Sequence, residues 1–322
     1  MSEQNTDVTP ELLAATYDLG GVVGWARAAE GSAGEIHRLV TATGTYAAKE
    51  FVAQRPTAVD LAWRVAFTDA CRAAGVPGPE TLRTTGGDLL FDHPGTGRPW
   101  LVQPWVEGTR PERTDLPATV WLAGQAALIH QLEVPCRPGE EVHPFYVRVD
   151  ADWAGLADSA RGSAWGTRLA ERAAEFAELT AFVNAAPVGT LVSCHRDLKT
   201  ANTLLGPDGD RFLLDWDTSG PQEPWRELGT LLIHHVRDDA AVGAIAGAYR
   251  KAGGPGWPAG ATLFATGLAV WLNFLDGQVC TALDESADAD DRAFAESIAT
   301  RLTEDIPGFD VLGSAAGVAA GS

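Results

Sequence analysis

Short segments in which apolar and polar residues alternate dominate the first hundred residues of the chain. The alternation predicts five short strands, at residues 22–30, 35–43, 45–51, 87–91 and 99–106. Helical spacing covers residues 10–16 and 57–74, and the second helix is predicted to stop at the Gly75-Val-Pro-Gly-Pro run. This part of the chain is therefore predicted to be an antiparallel sheet accompanied by helix.

Helical periodicity dominates after residue 107. It predicts five helices, at residues 117–133, 163–186, 225–251, 259–284 and 286–305. Strand-like segments interrupt them at residues 191–194 and in a hairpin over 203–215, and the small residues from Val311 onward predict a frayed end. The predicted fold class is α+β, with a strand-rich part at residues 1–106 and a larger helical part at residues 107–322.

Composition and charge narrow the possible partners. Hydrophobic residues make up 45% of the 322 residues and charged residues 21%, which is typical of a globular protein. The net charge of −19 argues against a nucleic-acid partner, because phosphate backbones select basic surfaces. The favoured interpretation is that this negative charge aids solubility. The alternative is that it attracts a cationic substrate.

Location and redox state follow from the ends of the chain and from its cysteines. The start, MSEQNTDVTPELL, is polar and acidic, so we expect neither a signal peptide nor a transit peptide. We expect a cytoplasmic protein without a membrane partner. The four cysteines are scattered without a CxxC pair, which predicts reduced thiols and no structural zinc.

One stretch, CHRDLKTANTLLGPDGDRFLLDWD at residues 194–217, combines the groups that phosphoryl transfer requires. Asp197 can orient and deprotonate an acceptor hydroxyl, and Lys199 can reach a γ-phosphate. Asn202 and Asp215 offer oxygen ligands to magnesium, which prefers few protein oxygens beside phosphate oxygens. The alternative is that this loop has no catalytic role and contains only a local salt bridge. The spacing of these four residues would then be a coincidence.

These motifs carry a family resemblance. The loop at residues 195–202 and the LLDWD segment at 213–217 resemble the aminoglycoside phosphotransferase group of the protein-kinase-like superfamily, a group that includes choline and homoserine kinases. The resemblance covers roughly residues 20–305. It implies a bilobal kinase fold with a small antiparallel-sheet N-lobe, a larger mainly helical C-lobe, and ATP or GTP in the cleft. Lys199 departs from the group's usual residue and matches the protein-kinase loop.

The same resemblance assigns roles to residues near both lobes. It implies Asp197 as the catalytic base and Asn202 and Asp215 as the ligands of Mg²⁺. Glu227 is expected to accept a hydrogen bond from the catalytic loop as a structural acid. His130 is expected to pack behind that loop, also in a structural role.

Five residues of the first part are candidates for binding the nucleotide. Lys49 resembles the lysine that grips the α- and β-phosphates. The turn containing Ser32 and Gly34 resembles a nucleotide-positioning loop, but it lacks the GxGxxG spacing, and a plain hairpin turn is the alternative. Pro104 and Val106 resemble the hinge that receives adenine, through one C=O and one N–H; an ordinary buried strand end is the alternative.

Two features remain open at this stage. The acid expected to orient Lys49 is absent from its usual place on the next helix, where Arg64 stands, and either Asp60 or Asp69 could serve instead. A later helix carries a group of side chains that could line a small-molecule pocket, although core packing is favoured for them. The group is Trp271, Asn273, Phe274 and Asp276.

The predicted function is transfer of the γ-phosphoryl group of ATP or GTP to a hydroxyl of a small molecule. The acceptor is expected to be an aminoglycoside-like antibiotic, with a role in resistance, or a small metabolite, including one with positive charge. A protein kinase and a kinase-like nucleotide-binding regulator are the alternatives. A helix begins soon after Asp215 without an APE motif, which leaves little room for a peptide platform. Intact Asp197 and Asp215 argue against the regulator.

Overall fold

The computed structural model describes residues 10–31, 34–52 and 55–321, which form two compact units. The first unit contains the chain up to Pro111 together with Ala201–Asp217. The second contains Glu112–Thr200 and the chain from Thr218 onward. The sequence-based division at residues 106 and 107 lies close to the first crossing, whereas the hairpin after residue 201 groups with the strand-rich unit.

Strands predominate in the first hundred residues and helices in the rest of the chain, as the α+β prediction requires. The described strands are β1 Val22–Gly31, β2 Gly34–Thr41, β3 Thr45–Phe51, β4 Phe91–Asp92, β5 Pro99–Pro104, β6 Val192–Cys194, β7 Thr203–Leu205, β8 Arg211–Leu213 and β9 Gly220–Gln222. The described α-helices are α1 Pro10–Thr16, α2 Ala58–Ala73, α3 Leu116–Gln131, α4 Trp153–Ser159, α5 Ala164–Ala185, α6 Pro224–Leu232, α7 Asp239–Lys251, α8 Ala265–Leu283, α9 Ala289–Asp305 and α10 Phe309–Gly321.

The first unit is built on a five-stranded antiparallel sheet with the strand order β1-β2-β3-β5-β4. Lys49 lies in β3, where it pairs with Ile36 of β2 and Leu101 of β5. The short hairpin of β7 and β8 belongs to the same unit. The predicted sheet is thereby confirmed, and its central strand carries the candidate phosphate-binding lysine.

Two helices cover the sheet of the first unit. Helix α1 buries Leu13 against Leu39 of β2. Helix α2 begins at Thr57, whose hydroxyl accepts the N–H of Asp60 and so satisfies a free donor of the first turn. Its Leu61 is 2% exposed and packs on the sheet residue Leu101, a burial that stabilises the unit by about 1.5–3 kcal/mol.

The second unit is mainly helical, with the two-stranded ladder of β6 and β9 beside the bundle. Among the described residues, the stretch Gly260–Leu283 is long and apolar enough to cross a membrane by length and composition alone. Of its most apolar window, 56% is buried inside the protein. Leu268, Leu272 and Leu275 of α8 are fully buried, so core packing accounts for the hydropathy of this helix.

Three helical regions of the structure differ from the prediction. The helix predicted over residues 225–251 is two helices, because Asp238 accepts the N–H of Ala241 and starts α7 anew. Helix α4, which was not predicted, also begins at a capping aspartate, Asp152. The frayed tail was wrong: alanine is a strong helix former, and α10 buries Leu312 and Ala315 completely.

Candidate active site

Three charged side chains meet at the sheet of the first unit. The Nζ atom of Lys49 contacts Oδ2 of Asp217, and Nη1 of Arg64 donates to Oδ1 of the same carboxylate at 3.2 Å. Asp69, one of the two candidates on α2, pairs instead with Arg72. The acid that orients Lys49 is therefore Asp217, 168 residues away in sequence.

Sequence reasoning missed Asp217 because it sought the acid on the helix after β3. The available signal was the second aspartate of LLDWD, which stands two residues beyond Asp215. Arg64 was noticed only as a departure from the expected pattern. In the structure both residues belong to the same charged group as Lys49.

The base of the β7–β8 hairpin brings Asn202 and Asp215 close together in the chain's fold. Thr203 pairs with Leu213, and the N–H of Leu214 donates to the carbonyl of Asn202 at 2.8 Å. Asn202 therefore accepts the hydrogen bond that closes the hairpin, and Asp215 directly follows the donor residue, Leu214.

Asp215 has the backbone and the free carboxylate of a ligand-binding residue. Its φ of 60° lies in the left-handed region, which aspartate tolerates better than most residues. Its side chain is exposed and, across the described ranges, makes no hydrogen bond or ion pair. Such a carboxylate, on the residue after the Leu214–Asn202 backbone bond, fits the preference of Mg²⁺ for hard oxygen ligands.

The candidate hinge at Pro104 and Val106 has its polar groups on the edge of β5 that faces away from β3. The N–H of Trp105 donates to Thr45 on the β3 side at 2.9 Å, while the carbonyl of Val102 accepts the N–H of Leu82 on the opposite side. Strand alternation directs the Pro104 carbonyl to that opposite side as well.

A cavity lies beside the candidate hinge in the first unit. Its volume is about 260 Å³, and it is lined by Trp105, Val106 and Glu107 and by the turn that joins β7 to β8. In the described part of the chain, the backbone N–H of Val106 has no hydrogen-bond partner. The Pro104 carbonyl and the Val106 N–H, the two predicted adenine contacts, are therefore left available by the protein's own backbone.

The predicted turn around Ser32 and Gly34 is only partly described, since Ser32 lies outside the described residues. Gly31 pairs with Gly34, so β1 and β2 form a tight hairpin. A Cβ atom at Gly34 would lie 1.8 Å from the carbonyl oxygen of Glu50 in β3. The close approach of these strands gives Gly34 a role in its own sheet.

The second unit presents the HRD triplet on a strained loop after β6. Arg196 has a φ of 66°, an unusual value for a long side chain. Its N–H donates to Glu227, its Nε donates to the carbonyl of Thr218, and its guanidinium lies 5.0 Å from the ring centre of Tyr146. These contacts hold the backbone in place immediately before Asp197.

Glu227 and His130 support this loop from behind, as the sequence predicted. The Glu227 side chain is fully buried, with its Oε2 2.8 Å from Nε2 of His130, and the other ring nitrogen of His130 lies 2.7 Å from the hydroxyl of Tyr249. Burial raises the pKa of Glu227, but the hydrogen bonds from His130 and Arg196 outweigh it and leave the pKa lowered. A charged, fully buried carboxylate therefore anchors the loop.

Asp197 and Lys199 form an ion pair, with Nζ of Lys199 2.7 Å from Oδ2 of Asp197. The Asp197 side chain is 28% exposed, so a small molecule can reach it. The backbone N–H of Asp197 also donates to Nδ1 of His195 at 3.3 Å. The structure thus brings together both residues of the predicted catalytic pair.

The candidate acceptor-pocket residues on α8 are not core residues, so the favoured interpretation was wrong. Asn273 donates to the carbonyls of Phe145 and Arg148, at 2.9 and 2.7 Å. Phe274 is 42% exposed, and burial raises the pKa of the half-buried Asp276. A 19-residue helix needs only one fully buried face, and these side chains lie off it.

Comparisons with known proteins agree on one family and one fold. Residues 25–263 match the APH family model, described as the phosphotransferase enzyme family. An aminoglycoside phosphotransferase structure from Alicyclobacillus acidocaldarius is similar, with a TM-score of 0.72, 16% identity, and coverage of 100% of this chain and 99% of that one.

Two ligand complexes are similar at lower scores. Spectinomycin phosphotransferase with ADP and spectinomycin has a TM-score of 0.68 and 13% identity, covering 92% of this chain and 95% of that one. Amicoumacin kinase in complex with AMP-PNP, Ca²⁺ and Ami has a TM-score of 0.59 and 14% identity, covering 92% of each chain. At these identities the structures show a shared fold, and the predicted kinase-like α+β class is confirmed.

Proposed function

We propose that this chain, which belongs to the APH phosphotransferase enzyme family, transfers the γ-phosphoryl group of ATP to a small hydroxylated molecule. It is a small-molecule kinase-like phosphotransferase that acts on hydroxyl groups. The observation that carries this proposal is the placement of Asp197 directly after the strained Arg196, which the buried Glu227 anchors. A carboxylate held in this way is suited to orient a hydroxyl and accept its proton.

The residues of the first unit are proposed to bind the donor. Lys49 contacts the α- and β-phosphates, and Asp217 orients it. Asn202 and Asp215 hold Mg²⁺. When bound, the metal ion neutralises charge on the phosphate oxygens during transfer. The similar amicoumacin kinase binds AMP-PNP with Ca²⁺, which supports the use of a nucleotide and a divalent cation.

The hinge chemistry favours ATP over GTP in this proposal. Adenine presents an amino donor where guanine presents the O6 acceptor. The Pro104 carbonyl accepts from the amino group of adenine, and proline has no N–H with which to satisfy O6 of guanine. The Val106 N–H supplies the complementary donor to adenine.

The residues of the second unit are proposed to act on the acceptor. Asp197 takes the hydroxyl proton, and Lys199 stabilises negative charge that develops on the transferred phosphoryl group. The acceptor is an aminoglycoside-like antibiotic or a small metabolite, and a net charge of −19 suits a cationic one. The similar structures hold spectinomycin and amicoumacin, both small molecules. We also propose a cytoplasmic location, where ATP is supplied.

A panel of hydroxylated amines, antibiotics and sugars tests the proposal. Nucleotide consumption is measured with ATP and with GTP, and phosphorylated product is identified by mass spectrometry. We expect one class of acceptor to be phosphorylated, with kcat/KM about tenfold or more higher for ATP, a ratio set by one lost hydrogen bond with one unsatisfied group. Nucleotide binding without any phosphorylated product across the panel would instead support a non-catalytic regulator.

A further inference from the structure

The charged group around Asp217 contains more positive charge than it can neutralise by itself. Lys49 and Arg64 contact opposite oxygens of one carboxylate, which gives the three side chains a net charge of about +1 at neutral pH. The side chains of both cations are only 19% exposed. A half-buried positive charge of this kind is compensated best by an anionic ligand.

Packing of α2 against the segment that precedes Asp217 positions Arg64. Phe67 lies one helical turn after Arg64, and its ring meets the buried Trp216 edge-on at 5.7 Å. After the end of α2, the carbonyl of Pro77 accepts the N–H of Leu213 at 2.8 Å. Helix α2 and the segment before Asp217 therefore form one packed assembly within the first unit.

The sequence departs from the family pattern at Arg64, where an acid would orient Lys49. Asp217 already performs that orientation, so the position on α2 is free to carry a cation. Asp217 engages a single nitrogen of the guanidinium, Nη1, and a guanidinium has five N–H donors. The remaining donors can engage phosphate oxygens, for which the planar fork is well suited.

We propose that Arg64 is a second phosphate-binding cation of the nucleotide site, which acts beside Lys49 while Asp217 keeps both side chains oriented. This inference rests on the proposed role of Lys49 in binding nucleotide phosphates. It assigns Arg64 to donor binding and gives it no part in proton transfer. The competing explanation is that Arg64 has a purely structural role, as a contact that ties α2 to Asp217 and has no effect on nucleotide binding.

Binding of ADP and of adenosine separates the two explanations. Isothermal titration calorimetry compares the wild-type chain with Arg64→Gln, and with Arg55→Gln as the matched control. Arg55 lies in the same unit, where it forms an exposed ion pair with Asp92. We expect Arg64→Gln to weaken ADP binding about tenfold or more, as loss of a charge-assisted hydrogen bond does, and to leave adenosine binding unchanged.

Each outcome has a distinct meaning. If Arg64→Gln binds ADP within twofold of the wild type, or loses affinity for adenosine and ADP equally, the proposal is wrong. If Arg64→Gln does not fold, by its thermal unfolding curve, Arg64→Met decides the question in the same way, since it keeps an apolar stem of similar length. If the wild type itself binds no ADP, the donor side of the proposed function fails.

Discussion

Replacement of Glu227 by glutamine tests how firmly the catalytic loop is anchored. The carboxylate is fully buried, and it accepts hydrogen bonds from His130 Nε2 at 2.8 Å and from the N–H of Arg196. A hydrogen bond to a charged group contributes about 1.5–3 kcal/mol, and a buried donor without a partner costs about 1–3 kcal/mol. Glutamine keeps one acceptor oxygen and turns an NH₂ group toward the other donor. Together these contributions predict a loss of about 2.5–6 kcal/mol of unfolding free energy.

Urea denaturation followed by tryptophan fluorescence measures this loss. Glu178→Gln is the control, because Glu178 is an exposed acid on α5 of the same unit and its replacement should change stability by less than about 0.5 kcal/mol. The lowered pKa of Glu227 adds a pH signature: its contribution is present at neutral pH and is lost in acid, as pH falls through the folded-state pKa. A Glu227→Gln variant as stable as Glu178→Gln would refute the anchoring role.

Two further predictions concern the second unit. Burial, with a smaller effect from nearby cations, lowers the pKa of His234 to about 4, so its neutral form stabilises the fold above pH 6.5 and that stabilisation is lost as pH falls through 4. Wild type should lose up to about 3 kcal/mol more than His234→Gln between these values, and parallel pH–stability curves would contradict this. Leu312→Ala should cost about 2–5 kcal/mol because α10 buries this side chain completely. A loss below 1 kcal/mol in urea denaturation would mean that α10 is peripheral.

Most of the fold could be predicted from the sequence, because hydrophobic periodicity and turn residues are signals that span only a few neighbouring residues. The strands of the sheet, helix α2 and the hairpin after Asn202 follow from period and from turn residues. The break between α6 and α7 was missed because it depends on one capping aspartate inside a helical pattern. Helix α10 was missed because its stability comes from burying small residues against distant partners.

In the candidate site, too, local contacts could be predicted from the sequence and a contact made by tertiary packing could not. The pairing of Lys199 with Asp197 and the support of the loop by Glu227 were predictable from one motif and its close surroundings. The partner of Lys49 was not, since Asp217 reaches it only through the packing of α2 against the end of the hairpin. The second aspartate of LLDWD marks Asp217 as a candidate, but its spacing does not show that it contacts Lys49.

In the proposed mechanism, Asp197 takes the acceptor proton while other residues bind the donor. A single-turnover assay with γ-labelled ATP and the acceptor found in the panel measures transfer directly in wild type and in Asp197→Ala, and calorimetry measures ADP binding in both. We expect transfer to fall by about 10²–10⁴-fold in the variant, which is the contribution of a general base, while ADP affinity stays within twofold. Near-normal transfer by Asp197→Ala would contradict this mechanism.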